Sequence, residues 1–239
     1  MPASQSAFEN KLLRHMRAND FDLLAPHLEA QKLPLRHVIE TSQTPITDVY
    51  FLETGLASIV STMPNGRDIE VGISGNEGMT SSSVVLGVMQ SPYDSYVQVA
   101  GHGYSIATEH LQRAMDTSAT LRNYLLLYVH TMVVQTASTA LANSQADVAS
   151  RTARWLLMVH DRTDGPEIML THDFLSIMLG VRRPWVTETL HVLEDKRLIR
   201  AKRGQITIVD RTGLLVEANG FYGVAEKEYK RLLRINLAR

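Results

Sequence analysis

The sequence predicts an α+β chain in three parts: a β-rich N-terminal unit, one long helix, and a C-terminal winged helix–turn–helix. Three observations carry this. Short apolar runs broken by turns fill residues 33–108, and neither proline nor glycine interrupts Glu109 to Asn143. After that the pattern becomes helix, helix, turn, helix, hairpin, which is the winged arrangement. The parts divide as 1–108, 109–145 and 146–239.

In the first part, FENKLLRHM and FDLLAPHL are expected as short helices ahead of Pro34. The strand candidates are LRHVIE, DVYFLE, GLASIVSTM, RDIEVGIS, SYVQVAG and GYSIAT. Pro64-Asn65-Gly66 between two β-rich runs signals a hairpin. Many short strands at near-regular spacing mean a sandwich or roll, because βαβ units would need helices between them.

The long helix carries Leu121, Leu125, Tyr128, Met132, Gln135, Thr139 and Ala142, spaced 4,3,4,3,4,3 like a coiled-coil seam. A second row, Tyr124, Leu127, Thr131, Val134, Ser138 and Leu141, runs beside it. One row is free to pack on the β-unit while the other faces a partner. Roughly 35 residues would span about 50 Å, more than a small domain needs. We therefore expect a homodimer helix with the row from Leu121 to Ala142 as its seam; the alternative is an internal helix buried on two sides.

In the third part, DVASRTARWLLMVHDRT puts Val148, Thr152, Trp155, Leu156 and Val159 on one helical face, and Asp164-Gly165-Pro166 ends it. Thr171 suits an N-cap for HDFLSIML, with Phe174, Leu175, Met178 and Leu179 inward. Gly180-Val181 makes a tight break. The next helix opens on Arg182-Arg183-Pro184 and turns Val186, Leu190 and Leu193 to a core. Pro184 fits a first turn, where its missing N–H has no intrahelical partner. Cations there oppose the helix dipole, so something else should want them. IRAKRGQITIVD then forms two strands hinged at Gly204, and Leu214, Leu215 and Ala218 beyond it should dock on the winged helix.

Charge divides along the same boundary. Residues 1–145 carry 8 Lys and Arg against 13 Asp and Glu, a net of −5; residues 146–239 carry 16 against 12, a net of +4. Only the second part is suited to meet a polyanion. The 239 residues are 44% hydrophobic and include no cysteine. That composition excludes disulfides, thiolate zinc sites and cysteine-ligated iron–sulfur clusters. With no apolar signal segment or long apolar run, we expect a cytoplasmic protein without a membrane span. Gly72, Gly75 and Gly78 form neither a dinucleotide fingerprint nor a P-loop, and no H-E-x-x-H or G-x-S-x-G occurs. The nine histidines show no metal spacing. No enzyme, metal or cofactor is expected.

In DVASRTARWLLMV, in LTHDFLSIMLGVRRPWVTETLHVLEDKRLI, and more loosely in ITDVYFLETGLASIV, the chain resembles the Crp–Fnr family of bacterial transcription regulators. The resemblance implies an N-terminal β-roll of the cyclic-nucleotide-binding type, a long dimerisation helix and a winged helix–turn–helix on double-stranded DNA. It implies a homodimer on an inverted repeat, with RNA polymerase as a candidate further partner. Arg183 matches the family's guanine-reading arginine. Thr187, Glu188 and Pro184 share its base-reading face, although Pro184 stands where glutamate is common and Glu188 where a second arginine is. Thr171, His172, Arg182, Lys202 and Arg203 fall on the phosphate side. Trp185 is expected to pack. The competing reading is a protein-interaction module with a ligand-sensing roll and no specific DNA binding.

The sensor stretch departs from the family. Cyclic-nucleotide members hold ribose with a Gly-Glu loop and phosphate with an arginine. Here Met79 follows Gly78, and no Lys or Arg lies between Arg67 and Arg113. Ser81, Ser82 and Ser83 offer hydrogen bonds without compensating charge. Cyclic AMP is therefore not the expected effector, and none is assigned.

Overall fold

A computed structural model describes residues 4–64, 66 and 68–237. Helices α1 (Lys11–His15) and α2 (Ala18–Leu24) open the chain. Asn10 caps α1 by accepting from the Leu12 and Leu13 amides, and its Nδ2 donates to the Leu52 and Gly78 carbonyls. A fully buried cap thus fixes the first helix to the unit that follows.

That unit is a β-roll of two antiparallel sheets. Its strands are β1 (Glu29–Leu33), β2 (Val38–Glu40), β3 (Asp48–Leu52), β4 (Leu56–Thr62), β5 (Asp68–Ser74), β6 (Asp94–Val99) and β7 (Gly101–Ala107). The sheet orders are β1-β7-β3 and β2-β6-β4-β5. The β4–β5 hairpin closes on Thr62 opposite Asp68, with Gly66 at φ 75°. Asn65 of the expected turn lies outside the described residues. Strand β1 had no sequence signal: EAQKL is an edge strand with only Leu33 buried, so it lacks the apolar alternation that marks a strand. Of LRHVIE only the last three residues form the regular strand β2, and Leu35 is exposed.

The expected single helix is two, α3 (Thr108–Thr117) and α4 (Ala119–Gln145). Ser118 breaks it. Its backbone is extended, its Oγ accepts from the Leu121 amide, and that hydroxyl donates to buried Asp20. Thr120 donates to the same carboxylate. Ser118 is thus an N-cap in place of a helical residue, the competition that short hydroxyl side chains bring to helices. At 27 residues α4 spans about 40 Å.

The predicted seam faces inward, which corrects its assignment to a partner. Leu121, Leu125 and Tyr128 are fully buried; Met132, Gln135 and Ala142 are nearly so, all within this one chain. Gln135 shows why polar residues sit in that row. Its amide accepts from the Ile73 N–H and donates to the Ile73 carbonyl, satisfying the open edge of β5. Thr139 accepts from Arg154. The opposite face is exposed, with Leu126, His130, Val133, Ala137, Ala140 and Ser144 again stepping by four and three. By length and composition alone α4 is apolar enough to cross a bilayer, but its inner face is part of the roll's core.

Beyond Ala146 lie α5 (Val148–His160), β8 (Glu167–Met169), α6 (His172–Leu179), α7 (Arg183–Asp195), β9 (Ile199–Lys202), β10 (Gln205–Ile208), α8 (Arg211–Glu217) and α9 (Val224–Leu233). The wing has three strands, ordered β8-β10-β9, where two were expected. Leu214 and Ala218 dock on the winged helix as predicted, but Leu215 is 41% exposed. Helix α9 does not stay with the winged helix. It packs along α4, and Tyr229, Leu233, Ile235 and Leu237 enter the core that holds Phe8, Leu12 and Leu125. The Tyr229 hydroxyl donates to the Glu77 carbonyl at 2.6 Å. Residues 146–239 are therefore not one packing unit: their last helix belongs to the first core.

Candidate nucleic-acid interface

Helices α6 and α7 form the two arms of the helix–turn–helix. Thr171 caps α6, accepting from the Phe174 amide at 3.3 Å. Gly180 ends α6 at φ 61°, a left-handed position that a side chain would strain, and its amide closes on the last turn. Leu175, Met178 and Leu179 are buried, while Phe174 is half-buried between Tyr96 and the Arg36 guanidinium of the roll. The first arm therefore lies against the roll.

Helix α7 begins without a side-chain cap. Arg182 occupies the N-cap position and Pro184 the first turn. Val186, Leu190 and Leu193 are buried, which turns Arg183, Pro184, Glu188 and His191 to solvent. Arg183 Nε stands 3.4 Å from Asp173 Oδ1, both side chains more than half exposed. Such a pair is worth little in water and is readily exchanged for a stronger anion. His172 Nδ1 and Thr187 Oγ1 are 3.2 Å apart, linking the start of α6 to the second turn of α7.

The wing completes the surface. Lys202 and Arg203 are exposed at the β9–β10 turn, where Gly204 has φ 76°. Glu194 accepts from the Ala201 amide at 2.7 Å and holds the wing to α7. Between α6, α7 and the wing runs an open groove of about 750 Å³, lined by Thr171, His172, Arg183, His191, Lys202 and Arg203 and also by the acidic Asp173 and Glu194. Thus Thr171, His172, Arg183, Lys202 and Arg203 come together around one concavity. Arg182, Pro184 and Glu188 extend the same surface outside it. Trp185 does not pack as expected; it is 56% exposed.

The stretch from Gly75 to Ser83, where the resemblance would put a ligand, is closed by protein groups. A Cβ on Gly78 would run into the buried Tyr128 hydroxyl, so a side chain there would have to displace that ring. Tyr128 donates to the Met79 carbonyl at 2.9 Å. Ser81 is buried and left-handed at φ 54°, and Ser82 and Ser83 begin a 3-10 helix. An arginine does reach this loop, from the end of α5. Arg162 Nε donates to Glu77 Oε1 at 2.7 Å, both side chains 2% exposed. Burial alone would weaken its protonation, but Glu77, Asp161 and Glu226 hold the guanidinium charged. Sequence reasoning missed it because Arg162 is 85 positions from Glu77. The same holds for Glu70, whose carboxylate accepts from Ser58 and from the Trp155 indole. Burial pushes the Glu70 carboxyl up to about 7, tempered by those two hydrogen bonds and by Arg154 and Arg162. Among the described residues no three His, Asp or Glu side chains converge as a metal site.

Comparison with known proteins shows what this surface is similar to. Residues 150–216 match the Crp-like helix-turn-helix domain. No curated protein matches the chain. Among solved structures, a putative Crp/Fnr-family regulator from Eubacterium rectale is 19% identical, with TM-score 0.68, over 87% of this chain and 98% of that one. FixK2 from Bradyrhizobium japonicum is 14% identical, with TM-score 0.68, over 80% and 96%. The c-di-GMP-responsive regulator CLP from Xanthomonas campestris is 18% identical, with TM-score 0.63, over 80% and 99%. At these identities the likeness is one of fold. Residues 150–216 are thus similar to the Crp-like helix-turn-helix domain, and the chain shares its fold with solved Crp/Fnr-family regulators.

Proposed function

We propose that the protein is a dimeric, sequence-specific DNA-binding transcription regulator working in the cytoplasm, without enzymatic activity. The observation that carries this is the uncapped, doubly cationic start of α7, exposed beside the basic wing tip. Free amides at a helix N-terminus and two guanidiniums form an unfavourable pairing until an anion meets them. Duplex phosphates supply that anion. On this reading Arg182, Thr171, His172, Lys202 and Arg203 grip the backbone and set the register of α7. Arg183 reads guanine through its fork, with Pro184, Thr187 and Glu188 facing neighbouring bases.

One reading helix per chain needs a second copy to reach an inverted repeat with half-sites about 34 Å apart. The exposed row of α4, from Leu126 to Ser144, supports a pairing seam; the buried row cannot be one. RNA polymerase is a further partner on this reading. In the sensor unit, Arg162 is already neutralised by Glu77. That supports an effector other than cyclic AMP, because the arginine that reaches this loop is already paired.

The test is duplex affinity against salt. A regulator loses affinity log-linearly as counterions cease to be released. A protein-interaction module without DNA binding shows no saturable, salt-dependent association with any duplex.

A further inference from the structure

Trp185 lies two positions beyond Arg183, and its indole is more than half exposed. Among the described residues no side chain hydrogen-bonds or stacks on that indole. The chain's other tryptophan, Trp155, is 3% exposed and donates to Glu70. At about 100° per residue, Arg183 and Trp185 fall on opposite edges of the outward face centred on Pro184, Glu188 and His191. Arg183's edge faces the start of α6, through Asp173 and the His172–Thr187 contact. Trp185's edge continues two turns later with exposed Val192. One edge is cationic and polar, the other apolar with a single N–H donor.

An α-helix in the major groove meets a sugar–phosphate wall on each side. A wall offers apolar deoxyribose faces beside phosphate oxygens, which suits an amphipathic indole. We propose that Trp185 anchors α7 to the DNA backbone on the side away from α6, its ring on deoxyribose and its Nε1–H donating to a phosphate oxygen. It positions the reading helix and reads no base. The anchor rests on the DNA-binding reading above.

The experiment compares wild type, Trp185→Phe and Trp185→Ala on a selected site and on random duplex. Subtracting the Trp185→Phe emission spectrum from that of wild type isolates the Trp185 signal. We expect saturating duplex to shift or quench it. Trp185→Ala should lose about tenfold affinity on every duplex, with base preference and salt slope unchanged, because a neutral contact releases no counterion. Trp185→Phe should fall between, keeping the ring and losing the donor. An unchanged Trp185 emission at saturation overturns the anchor. So does an Ala variant that binds within twofold of wild type, or one that alters base preference. If wild type binds no duplex at any salt, the DNA-binding reading itself fails. Unchanged Trp155 emission in the Ala variant shows that the fold is kept.

Discussion

Trp155 of α5 donates its indole N–H to Glu70 of β5 at 2.8 Å, a buried hydrogen bond that joins the winged helix to the roll. Ser58 Oγ donates to the other carboxylate oxygen at 2.6 Å. Glu70 is buried, so the two donors replace only part of the hydration its charge would have.

That burial makes stability depend on pH. Glu70 is pushed up to about 7 in the folded chain against an ordinary 4.5. A raised carboxyl favours folding fully below the unfolded value, and the advantage is lost as pH rises through the folded one. Between pH 4 and pH 8 the loss is about 3 kcal/mol from this group. Denaturant titrations at both pH values should show it, and Glu70→Gln should flatten the profile. A wild-type slope retained in Glu70→Gln assigns the effect elsewhere.

The two faces of α4 give opposite outcomes. Val133→Glu with Leu126→Glu should leave the fold intact and yield monomers in sedimentation. Tyr128→Ala, on the buried face, should cost about 3–5 kcal/mol of stability by the usual cost of removing a core aromatic. If the doubly charged variant remains a dimer at micromolar concentration, the exposed row is not the seam.

Cyclic AMP should neither bind stoichiometrically nor tighten DNA binding. Met79 is buried with its carbonyl held by Tyr128, and Arg162 is committed to Glu77. Calorimetry with cyclic AMP, alone and with a duplex, tests this. Micromolar binding coupled to a rise in duplex affinity would overturn it.

Much of this was legible in the sequence because local rules decide it. The Thr171 cap, the Gly180 break and the Val186, Leu190, Leu193 stripe follow from propensity and period alone. The failures are long-range. Ser118 breaks the helix with help from Asp20, 98 positions away. Gln135 sits in the buried row because it meets the edge of β5, 62 positions before it. A 4,3 spacing marks one face of a helix without saying what covers it, and α4 has such a spacing on both faces. Arg162 escaped notice for the same reason, since its partner lies in another unit.

Arg183 answers why α7 starts with cations. If its fork reads guanine, Arg183→Ala should cost roughly 1–3 kcal/mol on the selected site and flatten preference at one base pair per half-site. Its contact with Asp173 is exposed and weak, so losing that contact contributes little. Arg182, at the uncapped N-cap position, is assigned to phosphate. Arg182→Ala should weaken all duplexes about equally and lower the salt slope by about one ion per subunit. Lysine at position 183 restores charge without the planar fork, and should recover general affinity better than specificity. A binding selection over randomised half-sites with wild type, Arg183→Ala, Arg183→Lys and Arg182→Ala separates these roles. Full base preference retained in Arg183→Ala, with affinity alone reduced, makes Arg183 a phosphate clamp and moves the reading face onto Thr187 and Glu188.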